Sequence, residues 1–177
     1  MKNILLTLGL AATVALVGCG KKEEAPAAAA TSSTPVLRVA IDPTYEPFTF
    51  KTADGKPAGF DVDIAEAICA EIQRRCVYVE QVWDSMIPGL QAQQYDVIIS
   101  SMSITEERQQ VIDFSDKYYS TPSRIVVKEG TPFETLESLK GLRIGVLKGS
   151  TQERYAVGEL RPLGVNVIPY EAQDQVY

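Results

Sequence analysis

The chain has 177 residues, with 17 Lys and Arg against 23 Asp and Glu, a formal net charge of −6 and no histidine. An acidic chain without a basic cluster argues against nucleic acid and against an anionic lipid surface as partners. The lack of histidine removes Ser-His-Asp and Cys-His catalysis and most zinc sites within these residues, while carboxylates could still serve an acid-base enzyme.

Residues 4–17 form an apolar run after Lys2, and the run closes on LVGC at 16–19. A run of that length, with a small residue before a cysteine, reads as a secretory signal rather than a membrane span. The cysteine resembles that of bacterial lipoprotein signals, with cleavage before Cys19 and a lipid on its sulfur. An ordinary signal cleaved at a nearby small residue is the alternative. Residues 20–35, rich in Ala, Pro, Ser and Thr and without apolar periodicity, read as a flexible tether. The expected division is a signal at 1–18, a lipidated cysteine and tether at 19–35, and roughly 140 residues of exported domain.

Residues 36–41 read as a strand, and 48–51 with 57–60 flank an Asp54-Gly55 turn as a hairpin. Residues 61–75 predict a helix, with Ile64, Ile68 and Ile72 on one face and Asp61 or Asp63 as its cap. A strand at 77–82, a helix at 84–93 and a third strand at 95–99 follow. The short, extended, proline-containing stretch at 119–123 is expected as a hinge between a first lobe at 36–118 and a second at 124–177. In the second lobe 123–128, 142–146 and 165–169 predict strands and 151–160 a helix. Strands interleaved with helices indicate an α/β fold of mostly parallel sheets flanked by helices. Cys69 and Cys76 lie at a helix end and the next strand, and in an oxidising compartment they read as a disulfide, with two buried thiols as the alternative.

Ligands of open α/β sheets bind beyond the carboxyl ends of strands. That rule selects 42–45, Trp83, 100–103 and 147–152. The run SSMSITEER at 100–108 places small hydroxyls at a strand end, then a helix start, then an arginine whose planar fork suits a carboxylate. Equally, Thr105 caps a short helix and Arg108 faces water. GSTQ at 149–152 opens a second helix, either as an anion site or as a glycine turn with a hydroxyl cap.

From residue 36 onward the chain resembles the amino-acid-binding proteins of bacterial ABC importers, and within them those for histidine and for lysine, arginine and ornithine. The motifs that carry the resemblance are DPTYEPF at 42–48, GFDVD at 59–63, the Cys69/Cys76 pair, IPGL at 87–90, SSMSITEERQQ at 100–110, DKY at 116–118, SLKG at 138–141 and GVLKGSTQ at 145–152. The resemblance implies a two-lobe, type II periplasmic-binding-protein fold, and a monomer that closes over an L-amino acid by hinge motion and delivers it to a permease from the envelope side of a membrane, with no catalytic residue, metal or cofactor. It implies that Arg108 holds the ligand α-carboxylate with backbone N–H at Ser103 and Thr151. Ser100, Ser101 and Ser103 bind the α-amino and carboxylate groups. Tyr45 and Trp83 sandwich the side chain, Asp42 faces its cationic end, and Leu147 and Gln152 close from the second lobe. Trp83 departs from the phenylalanine or leucine usual there, and its larger ring favours a long flat cation while narrowing the slot, with a plain core role as the alternative. Asp42 also has the chemistry of an Asp-Pro turn, and Asp61 is assigned mainly a capping role. By the same resemblance the second lobe is expected to be truncated at Tyr177. An exported cyclohexadienyl-dehydratase-like enzyme and a ligand-sensing input domain are alternatives on the same fold.

Overall fold

The computed structural model describes residues 34–177; the signal and lipidation expected around Cys19 lie outside the described residues. Strand β1 (Val36–Ile41) leads into a small antiparallel sheet of β2 (Thr44–Tyr45), β3 (Thr49–Lys51) and β4 (Pro57–Ala58). Helix α1 (Phe60–Glu71) follows, then β5 (Arg75–Glu80), α2 (Met86–Gln91) and β6 (Val97–Ile98). A four-residue helix α3 (Glu106–Gln109) lies beyond them. After a long irregular stretch come β7 (Arg143–Leu147), α4 (Thr151–Tyr155) and β8 (Asn166–Tyr170).

β1 is the centre of a three-stranded parallel sheet, with β5 on one side and β6 on the other. Covered on both faces, its second half carries Val39, Ala40 and Ile41 with no solvent exposure. Val39 and Ile41 pack with Ala65 of α1 and Ile99 into one apolar cluster. A separate cluster of Leu139, Val146, Ala156, Leu160 and Val165 gathers around the parallel β7–β8 pair. Burying a side chain such as Ile41 or Leu160 contributes about 1.5–3 kcal/mol, so each sheet has its own source of stability.

Gly59, not Asp61, occupies the N-cap of α1. Its φ is 115°, and a Cβ there would sit 2.4 Å from the Phe48 carbonyl oxygen, so only glycine lets hairpin and helix meet. The helix buries Asp61, Val62, Ala65 and Cys69, while Ile68 and Ile72 are 42% and 47% exposed. The face predicted from Ile64, Ile68 and Ile72 is therefore rotated. A disulfide between Cys69 and Cys76 (Cα–Cα 5.8 Å) holds the Asp61–Ala65–Cys69 row toward β5. Left-handed Gln73 (φ 55°) then ends the helix, with Arg74 N donating to Cys69 O.

Residues 123–128 form no strand, because no ladder lies beside them; Ile125 packs on the second cluster but Val126 is 82% exposed. At the start of β1, Arg38 donates to both Asp96 carboxylate oxygens and to the Gln93 and Gln94 carbonyls. This fork pins the turn before β6 to the central strand and lowers the Asp96 carboxyl to about 2.

Candidate functional site

The first group of candidate residues lies where the parallel strands end. Asp42 N donates to the Ser100 hydroxyl at 3.1 Å, joining the ends of β1 and β6. Asp42 Oδ1 accepts from Thr44 N (3.1 Å) and Thr44 Oγ1 (2.7 Å), so the side chain does form the turn its sequence offers. Its other oxygen, Oδ2, is buried with no protein hydrogen-bond partner. Burial pushes this carboxyl above the ordinary range, against the Thr44 donors. Tyr45 stacks on Phe48 at 5.1 Å, and Phe48 in turn meets Tyr119.

Asp61 is the hub of this group and the residue that sequence reasoning undervalued. It accepts from Ser101 Oγ (2.8 and 3.1 Å), Tyr118 OH (2.9 Å) and Thr49 Oγ1 (3.3 Å). Tyr118 also accepts from Ser101 N at 3.1 Å. Burial raises the Asp61 carboxyl despite its three hydroxyl donors. It also raises the Tyr118 phenol, with the Asp61 charge adding, to about 12. The spacing of Asp61 in the first turn of α1 suggested a cap; its partners lie far along the chain and left no local signal.

The second group surrounds Gly149. Thr105 caps α3, its hydroxyl accepting from Arg108 N at 3.2 Å. The cap orients the arginine: Nη1 donates to Ser103 O at 2.9 Å, and Nη2 to Gly149 O at 3.1 Å. The guanidinium stands 5.5 Å over the Trp83 ring, and Trp83 Nε1 donates to the same Gly149 carbonyl at 3.2 Å. Burial holds Arg108 below its ordinary value, with Arg154 adding and Glu107 opposing. Across from it, Ser150 caps α4 through Glu153 N.

A cleft of about 510 Å³ opens between these elements, lined by Trp83, Arg108 and Thr151 together with Ile87, Met102 and Val157. Asp42, Tyr45, Ser100, Ser101, Ser103, Leu147 and Gln152 do not line it. Leu147 is buried at the end of β7, and Gln152 is exposed and donates to Ser123 Oγ at 3.4 Å. The run from Ser100 to Arg108 connects the two groups, with Ser100 and Ser101 in the first and Ser103 and Arg108 in the second. Among the described residues no cluster of three or more Cys, Asp or Glu side chains is placed to hold a metal ion. No helix among them is long and apolar enough to cross a membrane.

Residues 37–161 match the bacterial extracellular solute-binding proteins, family 3. The chain belongs to this family. Over 140 residues it is 49% identical to the L-arginine-binding protein of Pseudomonas aeruginosa, covering 78% of this chain and 54% of that protein. It is 45% identical over 142 residues to the histidine-binding periplasmic protein of Escherichia coli K12, covering 80% and 55%. Identity to the lysine/arginine/ornithine-binding periplasmic protein of the same strain is 44% over 179 residues, covering 100% and 65%. An ancestral arginine-binding protein bound to arginine has a TM-score of 0.76 at 39% identity, over 79% of this chain and 62% of that one. An ancestral amino-acid-binding precursor of cyclohexadienyl dehydratase also reaches 0.76, at 34% identity, over 80% and 63%. This family 3 chain therefore has the type II periplasmic-binding-protein fold, and it spans between about half and two thirds of the length of these relatives.

Proposed function

We propose that this chain carries the ligand cleft of an extracytoplasmic binding protein that takes up a basic L-amino acid and hands it to the permease of an ABC importer. The observation that supports this most is the setting of Arg108. Two of its five N–H donors hold the backbone carbonyls of Ser103 and of Gly149. The remaining donors can form the bidentate grip a carboxylate requires.

In this reading Arg108, with backbone N–H at Ser103 and Thr151, takes the α-carboxylate. Ser100, Ser101 and Ser103 take the rest of the α-amino-acid head. Tyr45 and Trp83 flank the side chain and Asp42 faces its cationic end, although Asp42 and Tyr45 lie outside the cleft that Arg108 and Trp83 line. Leu147 and Gln152 close from the other side as the hinge at 119–123 bends. Binding and release are the whole task, without catalysis. The curated relatives are named for arginine, for histidine, and for lysine, arginine and ornithine, which agrees with a basic ligand. A lipid on Cys19 would keep the protein beside its permease.

Calorimetric titration of the full-length protein against the common amino acids tests the reading. Arginine, lysine, ornithine or histidine should bind, and Arg108→Ala should abolish binding of each. Binding of glutamate or glutamine alone would overturn the ligand class, and retained affinity in Arg108→Ala would overturn the role of Arg108. Incorporation of labelled palmitate, lost in Cys19→Ser, tests the anchor.

A further inference from the structure

Two ion pairs cross the cleft beside Arg108 without using it. Lys148 Nζ lies 3.2 Å from Asp84 Oδ2, and also 3.1 Å from Glu171 Oε1. Arg154 Nη1 pairs with Glu107 Oε2. The acids of the two cross-cleft pairs stand with Trp83 and α3, on the side of the β1 sheet, and both bases stand on the 148–154 segment that opens α4. Within these two pairs the signs are segregated, so both pull the same loop in the same direction; Glu153, an acid on that segment, is engaged by Gly149 N at 2.7 Å. Lys148 and Arg154 bracket Gly149, whose carbonyl accepts from Arg108 and from Trp83. The approach is tight: a Cβ on Gly149 would lie 2.6 Å from Asp84 Oδ1.

We propose that Asp84–Lys148 and Glu107–Arg154 form an electrostatic clasp that draws the 148–154 segment onto Arg108, making these four side chains positioning residues for ligand binding. The proposal rests on the reading of Arg108 and Thr151 as ligand contacts. None of the four needs to touch ligand. Their side chains are between 44% and 76% exposed, so each pair is screened by salt and shifts the closing equilibrium about two- to fivefold. A shift in that equilibrium appears as the same factor in affinity, because only the closed arrangement brings Thr151 to the ligand. Glu107 has a second effect. Its charge opposes that of Arg154 at the Arg108 guanidinium, so removing it leaves the repulsion between the two cations unbalanced.

The test compares wild type, Lys148→Met, Arg154→Glu and the swap Glu107→Arg with Arg154→Glu, which keeps the net charge. Two readouts are taken at low and at high NaCl: L-arginine affinity by calorimetry, and amide hydrogen exchange of 148–154 with no amino acid added. At low salt each single variant should bind about two- to fivefold more weakly and exchange faster by a similar factor. The swap should recover most of both losses, and high salt should bring all four proteins together. Exchange and affinity equal to wild type in both single variants would overturn the clasp, as would a swap no better than Arg154→Glu alone. If exchange responds as stated while wild type binds no amino acid, the clasp stands and the ligand reading falls.

Discussion

Ser101 Oγ donates to Asp61 Oδ2 at 2.8 Å, tying a residue in left-handed backbone (φ 51°) to a carboxylate with no solvent exposure. A serine in that region carries conformational strain, which persists only where the surroundings hold it. Asp61 and Tyr118 supply that hold, and with it the course of the chain from Ser100 toward Arg108. Asp61→Ala leaves the Thr49, Ser101 and Tyr118 hydroxyls without their acceptor. It should lower the stability of the fold by about 2 kcal/mol, read as a shifted urea midpoint. It should also weaken ligand binding, since Ser101 is freed to leave its strained conformation.

The same carboxylate gives a pH dependence with a definite sign. Burial raises its native value above the ordinary 3.8. The folded chain then holds this proton more tightly than the unfolded chain does. That contribution is complete below 3.8 and is lost as pH rises through the native value. Asp61→Asn lacks it. The advantage of wild type over Asp61→Asn should therefore be largest in acid and shrink toward neutral pH, measured by urea midpoints from about pH 4 to about pH 7. An advantage that grows with pH would mean that the three hydroxyl donors outweigh burial.

What the sequence made legible, and what it did not, divides by range of interaction. β1, the hairpin at Asp54-Gly55, the Thr105 cap and the Cys69–Cys76 bridge all rest on chemistry within a few residues. The parallel sheet followed from the alternation of elements. Asp61 was opaque because its partners Ser101 and Tyr118 lie 40 and 57 positions away, and an aspartate two residues past Gly59 looks like a cap. The isoleucine row of α1 misled because periodicity reports an apolar face but not which apolar face meets the sheet. Residues 123–128 have strand composition, but a strand is a property of a pair. The contacts of Lys148 and Arg154 with Asp84 and Glu107 could not be read at all, since exposed charges carry no sequence pattern that names a partner.

The disulfide makes a prediction independent of ligand. It closes a short loop, with a sequence separation of 7. Chain entropy for a loop of that size gives about 2.5 kcal/mol of stabilisation. Cys69→Ser with Cys76→Ser should lower the unfolding free energy from urea denaturation by that amount and leave ligand affinity within about twofold, because neither cysteine lines the cleft. A large loss of affinity in the folded double variant would mean that the bridge also sets the position of α1, and through Asp61 that of Ser101.

At Gly149 the 148–154 segment comes close to Asp84. Its φ is 72°, and a Cβ would collide with Asp84 Oδ1. Gly149→Ala must leave the left-handed region or displace the Asp84 carboxylate, and leaving that region turns the carbonyl away from Arg108 and Trp83. Ligand affinity should fall about tenfold, while the urea midpoint moves by less than about 1 kcal/mol, since Gly149 is exposed and outside both apolar clusters. An unchanged affinity would show that the loop closes by a route that does not need the Gly149 contacts.

In the proposed reading Asp42 sets the preference for a basic ligand. Its Oδ1 is occupied by Thr44, while its Oδ2 is buried and has no protein partner. A buried carboxylate oxygen left without a donor costs stability unless something else serves it, and the cationic end of a bound side chain is such a donor. Asp42→Asn separates the two roles. The amide oxygen can still accept from Thr44, so the turn and the fold survive, but the charge that would pair with a guanidinium or ammonium is gone. Affinity for arginine, lysine or ornithine should fall at least tenfold, about the worth of one charge-assisted hydrogen bond. Affinity for glutamine, however weak, should stay the same or rise, because the neutral amide no longer faces a carboxylate and the Arg108 grip on the amino-acid head is intact. Equal losses for arginine and glutamine would assign Asp42 to the turn alone and move the source of ligand selectivity to Trp83.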